Sequence, residues 1–155
     1  MSACSPSMAA AIAASPVLLQ AFDGSRRALQ GGELDPIARE VAGLAVGVAV
    51  DNRYGVAFHS TVLARLGLGE DDITAIRQGR PPSDPKLAAA HVLARAIALE
   101  RGNADTRAAR AAGFGDSEIL EIVAECTFAG LVGVVDTLAG RVELDEFLRP
   151  QARAA

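Results

Sequence analysis

Apolar residues recur along this chain every three or four positions. Between 36 and 50 they fall at Ile37, Val41, Leu44, Ala45 and Val48, which is one face of an α-helix. No stretch sustains the period-two alternation of a half-buried strand, so no sheet is expected. The punctuation between apolar segments is that of helix ends. Ser15-Pro16, Asp35-Pro36 and Asp84-Pro85 each place a capping side chain before a proline suited to the first helical position. Gly31, Gly67, Gly79, Gly113 and Gly140 each follow an apolar periodic run, where glycine ends a helix readily. The pattern predicts helices over 16–30, 36–50, 54–66, 70–78, 85–101, 105–112 and 116–139, the last capped by Asp116. The fold class is all-α, a compact helical bundle of about six to seven helices.

Residues 1–14 (MSACSPSMAAAIAA) are alanine- and serine-rich and read as a flexible arm. A single domain is expected over 15–148, with a frayed tail over 149–155. One domain suits 155 residues, enough to bury a core without disulfide or metal staples. Half of the residues are hydrophobic and only 4% aromatic, which favours closely packed helices.

Charge changes the picture little. The net charge is −4, from 15 basic and 19 acidic residues, with no basic block, so nucleic acid is not an expected partner. The longest apolar runs, 41–50 and 126–135, are too short to span a bilayer, and the N-terminus lacks a basic region before its alanines. A cytoplasmic location without membrane contact is expected. Cys4 and Cys126 match no zinc or redox spacing, and Cys126, inside an apolar helix, reads as inert. No glycine-rich phosphate loop, Ser-His-Asp order or metal-ligand spacing occurs, so no cofactor or metal is expected.

Candidate chemistry concentrates in 40–59, EVAGLAVGVAVDNRYGVAFH. Glu40 shares a helix face with Leu44 and Val48, and an ionised carboxylate there is costly unless paired. His59 lies on the following helix. An ideal antiparallel hairpin pivoting at Asn52 offsets the two by five residues, roughly 7–8 Å at 1.5 Å per residue, so they meet only through a crossing angle or a bridging water. The bland alternatives are a solvated first-turn glutamate and a structural histidine, and spacing alone leaves both open. His91 reads as a helix-surface or interface residue, and Glu118 and Glu121 as first-turn charges. Gly43/Gly47 and Gly130/Gly133 read as sites of close helix packing.

The same segment resembles the signature of the alkylhydroperoxidase D-like branch of the carboxymuconolactone decarboxylase superfamily. That signature has a glutamate, eleven residues, Cys-x-x-Cys, three residues and a histidine. Glu40 and His59 fall on its glutamate and histidine, and Tyr54 matches a frequent residue between the cysteines. Leu66-Gly67-Leu68 with Glu70-Asp71-Asp72-Ile73, and the run from Ala111-Ala112-Gly113-Phe114 to Ile119, resemble flanking family segments, so the likeness covers roughly 15–140. Asn52 and Gly55 stand at the cysteine positions, which removes the thiol chemistry of family peroxidases. Lactone decarboxylases of the superfamily also lack the cysteines, keep the histidine and show a similar Asn-Arg pair, here Asn52-Arg53.

The resemblance implies a cofactor-independent acid–base enzyme, a decarboxylase, isomerase or lyase acting on a small organic acid or lactone. His59 would transfer the proton and Glu40 would tune it. Asn52, Tyr54, Gly55, Phe58 and Leu44 would form the substrate pocket. It also implies a homo-oligomer, a trimer or a multiple of one, for which helices apolar on most of their faces provide surface. The alternatives are an alkylhydroperoxidase-related antioxidant and a non-catalytic ligand-binding scaffold.

Overall fold

A computed structural model describes residues 6–100 and 104–152. It comprises helices α1 (Pro6–Ile12), α2 (Pro16–Gln30), α3 (Pro36–Ala49), α4 (Arg53–Leu66), α5 (Glu70–Arg77), α6 (Pro85–Glu100), α7 (Arg107–Ala111) and α8 (Asp116–Leu138). A 3₁₀ turn over Glu146–Leu148 leads into α9 (Arg149–Ala152). No strand occurs among the described residues, and none of their helices is long and apolar enough to cross a membrane. The predicted end of the fifth helix, near 101, and Cys4 lie outside the described residues.

The caps explain the agreement between pattern and structure. Ser15 accepts from the Leu18 N–H, Asp35 from those of Ile37 and Ala38, and Asp84 from that of Leu87. Each supplies a partner to an otherwise orphaned first-turn donor. Gly67, Gly79, Gly113 and Gly140 all take the left-handed conformation that L side chains avoid. One cap differs from expectation. Asp116 is the first residue of α8, not its cap; Gly115 holds that place, and Glu118 reaches back to accept from the Gly115 N–H at 2.8 Å.

Helix α3 is the axis of the fold, packed by α4, α5, α6 and α8. Val41, Ala42, Leu44, Ala45 and Val46 are all fully buried, and burying each of the larger ones contributes about 1.5–3 kcal/mol. One apolar cluster joins α3 to α6, α7 and α8, and another joins it to α4 and α5. A third, built from Met8, Ile12, Phe22, Tyr54, Val142 and Leu148, ties both ends of the described chain to α2, α4 and α8.

That third cluster corrects the expected flexible arm. Residues 6–12 form helix α1, with Met8 and Ile12 only 1% and 3% exposed. Ser7 donates to Asp145 Oδ1 through both its backbone N–H (3.1 Å) and its hydroxyl (2.7 Å). The two apolar side chains are four apart, so one face of a short helix docks. Part of the expected tail is also anchored, since Arg77 donates to the Gln151 carbonyl.

Candidate functional site

The site is built on the α3–α4 hairpin. The chain reverses at Asp51, a non-glycine residue with φ of 52°, whose backbone carbonyl and carboxylate are held by Arg141 at 2.9 and 3.0 Å. Arg141 also donates to the buried Asp136 near the end of α8, locking the turn against that helix. Asn52 then caps α4 by accepting from the Gly55 N–H at 2.9 Å.

Two glycines set how closely the helices approach. A Cβ on Gly43 would lie 2.3 Å from the His59 ring, and one on Gly47 would lie 3.3 Å from the Val56 backbone nitrogen. Gly43 therefore sits opposite His59, and Gly47 opposite Val56. The hairpin's centre is Asp51, one residue earlier than the ideal pivot. Glu40 and His59 are then offset by three residues, roughly 4.5 Å along the axis, which the two side chains span. His59 Nδ1 and Glu40 Oε2 are 2.8 Å apart, a direct hydrogen bond in place of the expected gap. Gly133 likewise admits Asn52, but a Cβ on Gly130 would meet nothing, so only part of the second glycine pair serves packing.

Glu40 and His59 are each 8% exposed. Burial by itself would raise the Glu40 carboxyl, but the hydrogen bond and charge of His59, with the Arg39 guanidinium 3.6 Å away, hold it below the usual carboxylate range. Burial would likewise lower His59. The Glu40 hydrogen bond and charge, helped by a second carboxylate, raise it instead. The pair rests as carboxylate and imidazolium, with Nδ1–H donating to Glu40.

That second carboxylate is Glu125 on α8, whose Oε1 lies 4.0 Å from His59 Nε2. It is 4% exposed, and burial pushes its carboxyl up to about 7, with His59 and Arg39 pulling down and Glu40 pushing up. Sequence reasoning missed both Glu125 and Arg39. The available signal was a charge inside the apolar run IVAECTFAG, the same signal that marked Glu40.

These groups open on a cavity of about 280 Å³ between α1, α2, α3, α4 and α8. Tyr54, Gly55 and Phe58 line it, together with Phe22, Phe128 and Met8. Tyr54 Oη donates to Asp145 Oδ2 at 2.5 Å, so it braces the wall. Asn52 and Leu44 are not part of the lining. Asn52 Oδ1 is taken by its cap, and Leu44, turned roughly 40° round α3 from Glu40, packs with Leu63, Ile73 and Ile76. An offset of four along a helix keeps a face only approximately, and α3 is buried nearly all round.

Expectations for His91 and Glu121 also change. His91 is 1% exposed rather than on a surface, neither ring nitrogen has a hydrogen-bond partner among the described residues, and burial with the nearby Arg95 charge brings it down to about 4. Glu121 receives the Glu33 and Leu34 N–H groups at 2.9 and 2.7 Å, so it fastens the α2–α3 loop. Cys126 is buried with its thiol pushed up to about 12. No group of three or more His, Cys, Asp or Glu residues suited to a metal ion occurs among the described residues.

Comparison with solved structures places the fold. The chain is similar to an alkylhydroperoxidase AhpD core, an uncharacterized peroxidase-related protein from Ralstonia eutropha JMP134, with a TM-score of 0.79 and 23% identity over 88% of this chain and 76% of that one. It is also similar to a variant of the debrominase Bmp8 in complex with 2,3,4-tribromopyrrole, with a TM-score of 0.77 and 15% identity over 92% and 79%. At these identities the likeness is one of fold. No curated protein matches the chain. The model of the carboxymuconolactone decarboxylase family matches residues 14–96, more than half of the chain and the whole Glu40–His59 hairpin. The chain belongs to the carboxymuconolactone decarboxylase family.

Proposed function

We propose that this chain is an acid–base enzyme that moves a proton on a small organic acid or lactone, in a decarboxylation, isomerisation or lyase reaction. The observation that carries this reading is the 2.8 Å bond between His59 Nδ1 and Glu40 on the wall of the cavity. With Nδ1 committed to Glu40, Nε2 is the atom that exchanges protons with a ligand. Charged at rest, His59 donates first, to a substrate oxygen or to the carbon left by decarboxylation, and then recovers its proton. The cavity is at the small end of ligand sites, and an open pocket that keeps its paired polar groups supports an enzyme over a filled scaffold.

The antioxidant alternative is opposed by three residues. Asn52 and Gly55, at the family's thiol positions, are joined to each other by the α4 cap bond. Cys126, with its thiol near 12, supplies almost no thiolate at neutral pH. The deciding experiment offers enolisable organic acids and lactones to the protein in D₂O and follows turnover and carbon-bound deuterium by ¹H NMR. Wild type should exchange or convert at least one compound, and His59→Gln should lose that activity. Equal activity in His59→Gln overturns the reading.

We further propose that the chain acts in the cytoplasm as a homo-oligomer, a trimer or a multiple of one. Support comes from Leu120, Val123, Val134 and Leu138, all exposed on α8. Light scattering that gives a monomer at micromolar concentration would refute this.

A further inference from the structure

Glu125 is unused by the Glu40–His59 pair, yet it is nine-tenths buried and faces the same cavity. His59 Nε2 lies 4.0 Å from its Oε1. That distance is too long for a direct hydrogen bond. It suits one oxygen bonded to both groups: two legs of about 2.8 Å across a 4.0 Å base meet at about 90°, an acceptable angle at a single acceptor. We infer that the Glu125 carboxyl group and His59 Nε2–H are paired donors to one anionic oxygen, and that the cavity's ligand is a flat ring compound carrying an enolate or phenolate oxygen.

Charge supports the anion. The groups around that point are Arg39 and Glu40 from α3, His59 from α4 and Glu125 from α8, with Arg26 of α2 and Arg65 of α4 farther along the lining. With Arg39 and His59 positive, Glu40 negative and Glu125 carrying its proton, the inner cluster holds one net positive charge. One ligand oxyanion neutralises it. Ionising Glu125 cancels that charge beforehand and places a carboxylate against the ligand. The ring is chosen by the walls: Phe22 and Phe128 stand with centroids 5.0 Å apart, and Phe58 meets the His59 ring edge-on at 5.3 Å. A neutral carboxylic acid in an apolar site is a strong donor to such an oxygen.

The inference rests on reading the cavity as an acid–base site, and the test separates the two. The probe is 4-nitrophenol, whose visible band reports whether the bound molecule is phenolate or phenol. Wild type should bind it as phenolate, most tightly near neutral pH, and more weakly as Glu125 ionises. Glu125→Gln keeps a neutral donor, so it should bind within a few-fold of wild type and lose the weakening that sets in through pH 7, leaving that of His59. Glu125→Leu should weaken binding about tenfold or more, with circular dichroism confirming the fold. Binding as neutral phenol, no saturable binding to wild type, a pH profile of binding in Glu125→Gln identical to that of wild type, or undiminished binding by Glu125→Leu overturns the inference. Loss of binding in His59→Gln alongside full retention in Glu125→Leu removes Glu125's role and leaves the proton-transfer reading standing. Retention in both variants removes both.

Discussion

Two buried histidines flank the central helix region, and they have opposite fates. His59 on α4 has a carboxylate at each ring nitrogen, at 2.8 and 4.0 Å, and is raised. His91 on α6 has no partner for either nitrogen among the described residues and falls to about 4. Burial pushes both the same way; the neighbouring carboxyl groups reverse it at His59, and the Arg95 charge adds to the fall at His91. The same boundary divides adjacent residues of α8. Glu125 turns toward the cavity, while Cys126 turns into the α3–α6–α8 core, 4.0 Å from the Ala94 carbonyl. The paired titratable groups line the cavity on one side of α8, and the other side packs into the apolar core.

The sharpest test applies one substitution to both histidines. His59→Leu strands the buried Glu40 carboxylate without its cation and should cost about 3–5 kcal/mol, as for other broken buried pairs. His91→Leu removes two unsatisfied nitrogens and should be neutral or stabilising by about 1 kcal/mol. Urea midpoints at pH 7 measure both. Equal losses would break the comparison.

The pH dependence of stability comes next. His91 binds its proton at 6.5 in the unfolded chain and at about 4 here. Its depressed value contributes stability that is full above 6.5 and is lost as pH falls toward 4, worth about 3 kcal/mol. Glu125 runs the other way. Raised from 4.5 to about 7, it contributes stability that is full below 4.5 and is lost as pH rises through 7. The two oppose each other across the same window. His91→Leu should therefore flatten the acid-side loss relative to wild type, and Glu125→Gln should remove the decline toward neutrality. Urea midpoints between pH 4 and 8 show the profiles, and parallel profiles in all three proteins would refute the assignment.

A smaller effect is expected at the glycines. Gly43→Ala drives a methyl into the His59 ring and should cost about 1–3 kcal/mol, while lowering the His59 titration midpoint seen by NMR as the Glu40 bond lengthens. Gly130→Ala meets nothing and should instead stabilise α8 by about 0.5–1 kcal/mol. The smallest effect is at the thiol. Cys126→Ser should leave hydroperoxide reduction by a dithiol unchanged at background, and a rate that disappears in this variant would move the chemistry into the apolar core.

Much of this architecture is local and legible in the sequence. Ser15, Asp35 and Asp84 satisfy N–H groups within three residues, and Gly67 or Gly113 needs only its own φ, so helix ends follow from neighbours in the chain. The motif resemblance singled out Glu40 and His59 for the same reason, since both lie on one hairpin. What lay beyond reach depends on contacts between distant segments. The 2.8 Å bond required the register set by Asp51 and by Gly43 against His59, which an ideal pivot at Asn52 misplaces by a residue. Leu44 required knowing that α3 is surrounded, and Met8 that α1 has a groove to dock in. Glu125 is 85 residues from Glu40, and only the packing of α8 across the hairpin brings its carboxyl to the far nitrogen of His59. Sequence alone determined helices α2 to α8, most of their ends and the family's paired residues, because those signals act within a turn or two. Tertiary structure alone decided which charges meet, because desolvation and Coulomb attraction depend on distances that chain connectivity does not set.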